Sequence, residues 1–322
     1  MEQNNEALEE KKGEARRKYT IDVIIPTYHS EEKFDKLINM LYAQTVKPDR
    51  VLVLHSVEKE GEEQSYPQIE GSNITVIPIE KKNFDHGGTR KYGASLSDAD
   101  VLMFMTQDAV PVDEYLIERL LEPYADPEVS ATYARQLPDE KADLLERYTR
   151  HFNYPKYSRV KSKADMEELG IKTFFCSDVC ATYRSCVYQQ LGGFVDRTIF
   201  NEDMIMAAAM IRAGHKVAYT AEAKVVHSHR YSYVQQFTRN FDLGVSHSQY
   251  AEVFRGLKSE SEGIRLVVSS IDYLIKKKQF LMIPDLIISS GCKFLGYQLG
   301  KHYELFPREF VKRCSMNKSY WD

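Results

Sequence analysis

Two acidic positions stand where carboxylates can do chemistry. Asp108 lies in Thr106-Gln107-Asp108-Ala109, directly behind the apolar run Val101 to Met105 (VLMFM). In open parallel α/β sheets, ligands bind beyond the carboxyl ends of the strands, so a carboxylate there can hold Mg2+ or Mn2+ against a diphosphate. It could equally serve as a turn or helix-cap residue before Pro111. Glu202-Asp203 follows Gly192-Gly193 by ten residues and opens a segment made mostly of Met, Ile and Ala. Carboxylates in a first helical turn complement the helix dipole, but a partly desolvated one near a metal site also suits general-base work. Coincidence with Asp108 favours the chemical reading: Asp203 is the candidate base, and Glu202 orients it or the acceptor.

Asp98 and Asp100 resemble a D-x-D metal motif, yet they precede the strand Val101 to Met105 and belong at its amino end, away from a site. His227 and His229 alternate behind a strand, so they are expected to point to opposite faces with only one entering the site, as a metal ligand or as an ordinary structural histidine. The loop Asn83 to Arg90 offers backbone N–H groups at a helix start, suited to an anion, with His86 and Arg90 as further donors. A Gly-Gly turn without function would look the same.

These residues need a sheet to position them. Short β-branched runs alternate with helical patterns through the first half, the signature of a parallel sheet with crossover helices. Strands are expected at Ile21 to Pro26, Arg50 to Leu54, Ile74 to Ile79 and Val101 to Met105, with an amphipathic helix at Glu32 to Ala43. A helix follows the loop Asn83 to Thr89. Later come a strand-like segment at Lys172 to Cys176, helices from Ser185 and from Asn201-Glu202-Asp203, and a strand at Lys216 to Thr220. From about Tyr231 the pattern is wholly helical, with Pro284 suited to a first turn. The expected organisation is a flexible tail (1–18), a catalytic domain (19–230) and a C-terminal helical subdomain (231–322).

The bulk numbers bound the partners. Forty-three basic and 47 acidic residues alternate along the 322, for a net charge of −4, which leaves no footprint for nucleic acid. Five cysteines without a C-x-x-C pair favour a reducing compartment, with neither disulfides nor zinc. Residues 1–18 carry no apolar run that could be a secretory signal, so the catalytic body is expected to face the cytosol. Phe280 to Leu299 is interrupted by Asp285 and Lys293, and no membrane-spanning helix is expected there.

The ordered set Ile25-Pro26-Thr27-Tyr28, Phe84-Asp85-His86-Gly87-Gly88-Thr89-Arg90, Thr106-Gln107-Asp108-Ala109, Phe152-Asn153-Tyr154-Pro155, Gly192-Gly193-Phe194, Asn201-Glu202-Asp203 and His227-Ser228-His229 resembles the large inverting GT-A glycosyltransferase family. Within it, the His-Gly-x-Thr-Arg and Thr-Gln-Asp-Ala variants are similar to those of bacterial rhamnosyltransferases that use dTDP-L-rhamnose. The resemblance implies an α/β GT-A fold with a mostly parallel, helix-flanked sheet, a nucleotide-sugar donor, a divalent cation and a saccharide or lipid-linked saccharide acceptor on a growing cell-surface polysaccharide. It places Pro26, Thr27, Tyr28, His86, Gly87, Arg90, Gln107 and Asp108 at the donor, and makes Asp203 the base. Asp108 becomes the surviving carboxylate of the metal motif, and a histidine of His227/His229 completes the metal shell or contacts the diphosphate. Two positions depart from the pattern: Leu54-His55-Ser56 stands where relatives place an Asp or Asn that reads base and ribose, and His29 replaces a frequent Asn.

Three other readings compete. A UDP-hexose donor fits the same fold. A nicotinamide oxidoreductase would need G-x-G-x-x-G where Pro26-Thr27-Tyr28-His29-Ser30 stands. A non-catalytic nucleotide-sugar-binding assembly protein would not need both Asp108 and Asp203. The apolar stripe Ile264, Val267, Val268, Ile271, Leu274 and Ile275, ending in Lys276-Lys277-Lys278, is expected to pack on the parent domain or a second subunit. Its alternative is peripheral contact with a membrane.

Overall fold

The computed structural model describes residues 19–29, 32–58, 71–255 and 260–322; the expected tail, residues 1–18, lies outside them. Among the described residues, nine strands form one sheet in the order β3-β2-β1-β4-β8-β6-β9-β5, with β7 on β9. They are β1 (Ile21–Thr27), β2 (Arg50–Val57), β3 (Ile74–Glu80), β4 (Val101–Met105), β5 (Val110–Pro111), β6 (Val129–Leu137), β7 (Arg159–Lys161), β8 (Cys180–Arg184) and β9 (Lys216–Val226). The first four pair in parallel. The apolar runs of β1, β2 and β4 are buried on both faces because helices cover both, as parallel sheets require. Those helices include α1 (Glu32–Tyr42), which buries Phe34, Leu37, Ile38 and Leu41, and α2 (His86–Ser95).

The sheet is mixed, because β8 runs antiparallel to both β4 and β6. This corrects the sequence reading at one place. The expected strand Lys172 to Cys176 is a 3-10 turn over Gly170–Phe174, and the strand lies a few residues later at β8. Gly170 turns the chain at φ 53°, and buried Lys161 on β7 donates through Nζ to the carbonyls of Lys172 and Phe175. These carbonyls are thus met by an ammonium instead of a sheet neighbour.

Further helices are α3 (Leu116–Leu121), α4 (Leu144–Asn153), α5 (Ser185–Gln190) and α6 (Glu202–Arg212). From Tyr233 every described element is helical: α7 (Tyr233–Gln249), α8 (Glu260–Lys276), α9 (Ile283–Lys301) and α10 (Arg308–Cys314) account for most of it. Pro284 falls in the first turn of α9, as expected. Helices α7 and α9 cross at backbone contact. A Cβ on Gly296 would stand 2.2 Å from Phe237 O, and one on Gly300 2.0 Å from Phe241 O. Phe241 in turn packs with Ile199, Val245, Val311 and Tyr320 in a small core of its own, which ties these helices to the segment before α6.

Candidate active site

Asp108 ends the turn after β4, and His227 and His229 follow β9. The three meet. His229 Nε2 lies 3.1 Å and His227 Nε2 3.5 Å from Asp108 Oδ2, and the two ring nitrogens are 2.9 Å apart. The expectation that only one histidine reaches the site is overturned: β9 ends at Val226, so strand alternation no longer governs positions 227 and 229, and both rings turn the same way.

Gln136 on β6 sets the buried His227 ring. Its Oε1 accepts from Arg150 Nη1 at 2.5 Å and lies 3.1 Å from His227 Nδ1. An amide oxygen only accepts, so Nδ1 carries the proton and Nε2 turns its lone pair toward Asp108. Burial drives the His227 pKa down to about 3, despite the opposing pull of the Asp108 charge, so the imidazole is neutral at physiological pH. Burial pushes the Asp108 carboxyl up, but the hydrogen bond from His229 and the neighbouring imidazoles outweigh it and hold the carboxyl well below the usual range. The ligand atoms of Asp108, His227 and His229 all lie within 4.8 Å of one another, close enough for one cation to take the place of the proton that His229 shares with Asp108.

A second cluster, at the start of α6, faces the same cavity of about 1090 Å³. Asp203 Oδ2 accepts from the Asp178 backbone N–H at 3.2 Å and Oδ1 from Met204 N–H at 2.7 Å, which fixes the carboxylate plane. Burial and the adjacent Glu202 charge raise its pKa to about 7, against those two hydrogen bonds. Buried Glu202 receives Arg90 Nη1 at 3.1 Å, with His86 Nδ1 at 3.9 Å. Asp178 is buried too; Tyr183 OH donates to its Oδ1 at 2.7 Å, while its Oδ2 lies 3.7 Å from Arg90 Nε with no hydrogen bond to either atom. Burial and the Asp203 charge push the Asp178 pKa well up. Glu202 and Asp178 therefore share one arginine, with Asp203 beside them.

The remaining donor candidates are placed differently. His86 and Arg90 line the cavity, whereas Pro26, Thr27, Tyr28, Gly87 and Gln107 do not. The N-terminus of α2 is capped by its own Asp85, which accepts from Gly88 N–H at 2.8 Å. A Cβ on Gly87 would meet Val195 O at 2.3 Å, so that glycine answers to packing. Gln107 holds the Tyr28 backbone at both ends: its Oε1 accepts from Tyr28 N–H at 2.8 Å and its Nε2 donates to Tyr28 O at 3.0 Å. Thr27 Oγ1 meets His55 Nδ1 at 3.2 Å, both buried, so the residue at the departing position of β2 faces inward. Beyond the ends of β1, β2 and β3, Tyr28 OH, Glu58 and Lys81 Nζ form a closed triangle of 2.5–2.6 Å contacts. His29 has φ 48°, a left-handed backbone that Asn adopts readily, which accounts for the residue it replaces. Asp100 receives Thr20 N–H and Oγ1 at 2.9 and 2.8 Å at the amino end of β4, away from the site as expected.

Sequence reasoning missed Asp178 and Gln136. Neither stands in a motif; only pairing of β6, β8 and β9 brings them to the site.

Residues 22–192 match glycosyl transferase family 2. The chain belongs to that family. This family 2 glycosyltransferase is 43% identical over 305 residues to the O-antigen chain rhamnosyltransferase RfbN of Salmonella typhimurium, covering 94% of this chain and 96% of that one. It is 39% identical over 303 residues to WbaN of Salmonella anatum, another O-antigen chain rhamnosyltransferase, covering 93% and 95%. Among solved structures, the glycosyltransferase fold is shared with the mannosyltransferase PcManGT from Pyrobaculum calidifontis in complex with GDP-Man and Mn2+. That match has a TM-score of 0.53 at 14% identity over 95% of this chain and 86% of that one.

Proposed function

We propose that this glycosyltransferase moves L-rhamnose from dTDP-L-rhamnose to a saccharide acceptor on a growing, lipid-linked surface polysaccharide, in the cytoplasm and with inversion at the anomeric carbon. The rhamnosyl group and the polysaccharide acceptor follow the two O-antigen chain rhamnosyltransferase relatives, which match nearly the whole chain, and the dTDP carrier follows the His-Gly-x-Thr-Arg and Thr-Gln-Asp-Ala variants. The observation that carries the chemistry is that Asp108–His227–His229 and Asp203 open onto one cavity.

Asp108, His227 and His229 would hold a divalent cation, which when bound offsets the charge developing on the departing diphosphate. Two imidazoles beside one carboxylate favour Mn2+ over Mg2+. Asp203 takes the proton of the acceptor hydroxyl as its oxygen bonds to the anomeric carbon; the carbon–phosphate oxygen bond breaks, and its electron pair leaves with the nucleoside diphosphate. A carboxylate with a pKa of about 7 is matched to that proton near neutral pH. Glu202, tied to Arg90, supports Asp203 through charge and does not reach for the acceptor itself. Tyr28, Glu58 and Lys81 supply the nucleobase end that His55 does not. Residues 19–230 serve as the catalytic domain, with 231–322 closing the cavity.

The deciding experiment is incubation with dTDP-L-rhamnose, UDP-glucose or GDP-mannose and an acceptor oligosaccharide, with NMR of the product. Rhamnosylation of opposite anomeric configuration to the donor is expected. Turnover with a UDP- or GDP-sugar alone would overturn the donor, and retained configuration the single-displacement mechanism.

A further inference from the structure

The C-terminal helices present two chemically opposite faces. On α9, Asp285, Ser289 and Lys293 recur every four residues and line the catalytic cavity, while Leu286, Gly296 and Gly300 are buried. The reverse face carries Ile287, Ile288, Phe294 and Leu295, each at least half exposed. On α8, Leu274 and Ser270 are buried, but Ile264, Val268 and Ile275 of the expected packing stripe face out. Between the helices, the 3-10 turn Phe280–Met282 leaves Leu281 95% exposed, directly after Lys276, Lys277 and Lys278. An amphipathic helix normally hides such a stripe against its own domain. Here it is turned away from the domain. By length and composition alone the span Phe280–Lys301 could cross a membrane, although Asp285 and Lys293 interrupt it, and only 11% of its most apolar window is buried. Its backbone contact with α7 and its cavity-lining residues hold it on the domain.

Charge selects the occupant. Residues 260–301, from the start of α8 to the end of α9, hold six lysines and arginines against four acids, a net of +2 in a chain whose total is −4, and Lys276, Lys277 and Lys278 stand together just before Leu281. Of those four acids, Asp272 is engaged by Lys276 and Asp285 by Tyr233. A second copy of the chain would bring the same basic segment to the contact, whereas an anionic lipid surface complements it. Apolar side chains projecting beside lysines match the boundary between headgroups and acyl chains.

We propose that the outward faces of α8 and α9, with residues 276–281 between them, form a surface that seats peripherally on an anionic bilayer. The inward face of α9 then keeps the catalytic cavity beside the membrane. The assignment stands apart from donor identity, because the test involves no sugar.

The experiment is co-sedimentation of the full chain with vesicles of phosphatidylcholine, with or without about one third phosphatidylglycerol, at low and high salt. Light scattering of the same samples reports mass in solution. Wild type is expected to pellet with the anionic vesicles at low salt and to be released by high salt. Lys276→Glu/Lys277→Glu/Lys278→Glu and, separately, Leu281→Asp/Ile288→Asp should each lower partitioning about tenfold or more. Both variants should keep wild-type circular dichroism and turnover of a soluble acceptor. Wild type left in the supernatant with anionic vesicles at low salt overturns the proposal, as does unchanged binding by both variants. A wild-type dimer that fails to bind vesicles and that Leu281→Asp/Ile288→Asp splits would assign the face to a second copy instead.

Discussion

The backbone N–H of Asp178 points at Asp203 Oδ2, 3.2 Å away, while the Asp178 carboxyl is buried beside it. One residue thus steers the candidate base through its main chain and loads its surroundings with a second carboxyl. Replacing Asp203 by Asn keeps the shape and removes proton acceptance. Transfer should fall by about 10²–10⁴ with donor affinity held within about twofold, measured by turnover and calorimetry on the same preparation. A variant retaining a tenth of the rate would move the base elsewhere.

The pH dependence has a defined sign. Asp203 must be ionised to accept a proton and its pKa is raised to about 7, so turnover should climb from pH 5 to pH 7 and level off above. Stability runs the other way. The folded state holds a proton on this carboxyl that the unfolded chain releases near its ordinary value of 3.8, so stability falls as pH rises from about 4 to about 7. Asp203→Asn should therefore melt a few degrees higher than wild type at pH 8, with the gain fading at pH 4, as thermal unfolding at the two pH values would show.

The clustered ligand atoms of Asp108, His227 and His229 suit a cation. Excess EDTA should abolish transfer and Mn2+ restore it. His229→Ala should weaken Mn2+ binding by about tenfold or more in calorimetry, and Gln136→Leu should weaken it less, by freeing the His227 ring. Full activity in EDTA would contradict the arrangement.

Arg90 is shared by Glu202 and Asp178, and all three are buried. Arg90→Met leaves two carboxyls without their cation, at a cost of about 3–5 kcal/mol. Urea unfolding should show that loss at pH 8 and a smaller one at pH 5, because burial and the Asp203 charge push the Asp178 carboxyl toward its protonated form. A loss equal at both pH values would mean that packing, not charge, is what Arg90 provides.

Much of this was legible in the chain. Val101 to Met105 is apolar enough to be a central strand on either face, so Asp108 could be placed at its carboxyl end without coordinates. Asp203 was legible through its helix start. Strand β8 was not, since Cys-Ala-Thr-Tyr-Arg has no alternation and the aromatic Phe174-Phe175 just before it looks more strand-like. Asp178 and Gln136 stayed hidden for a related reason: they matter through partners 25 and 91 residues away, and no local pattern encodes such distances.

The two-ended grip of Gln107 on the Tyr28 backbone has a mechanical consequence. It welds the loop after β1 to the loop after β4, and Asp108 is the next residue along. A displacement of Tyr28 would load both hydrogen bonds at once and so bear on the loop that carries the carboxylate. The two ends of a bound nucleotide would then be felt by a single rigid body, with Gln107 as its rivet.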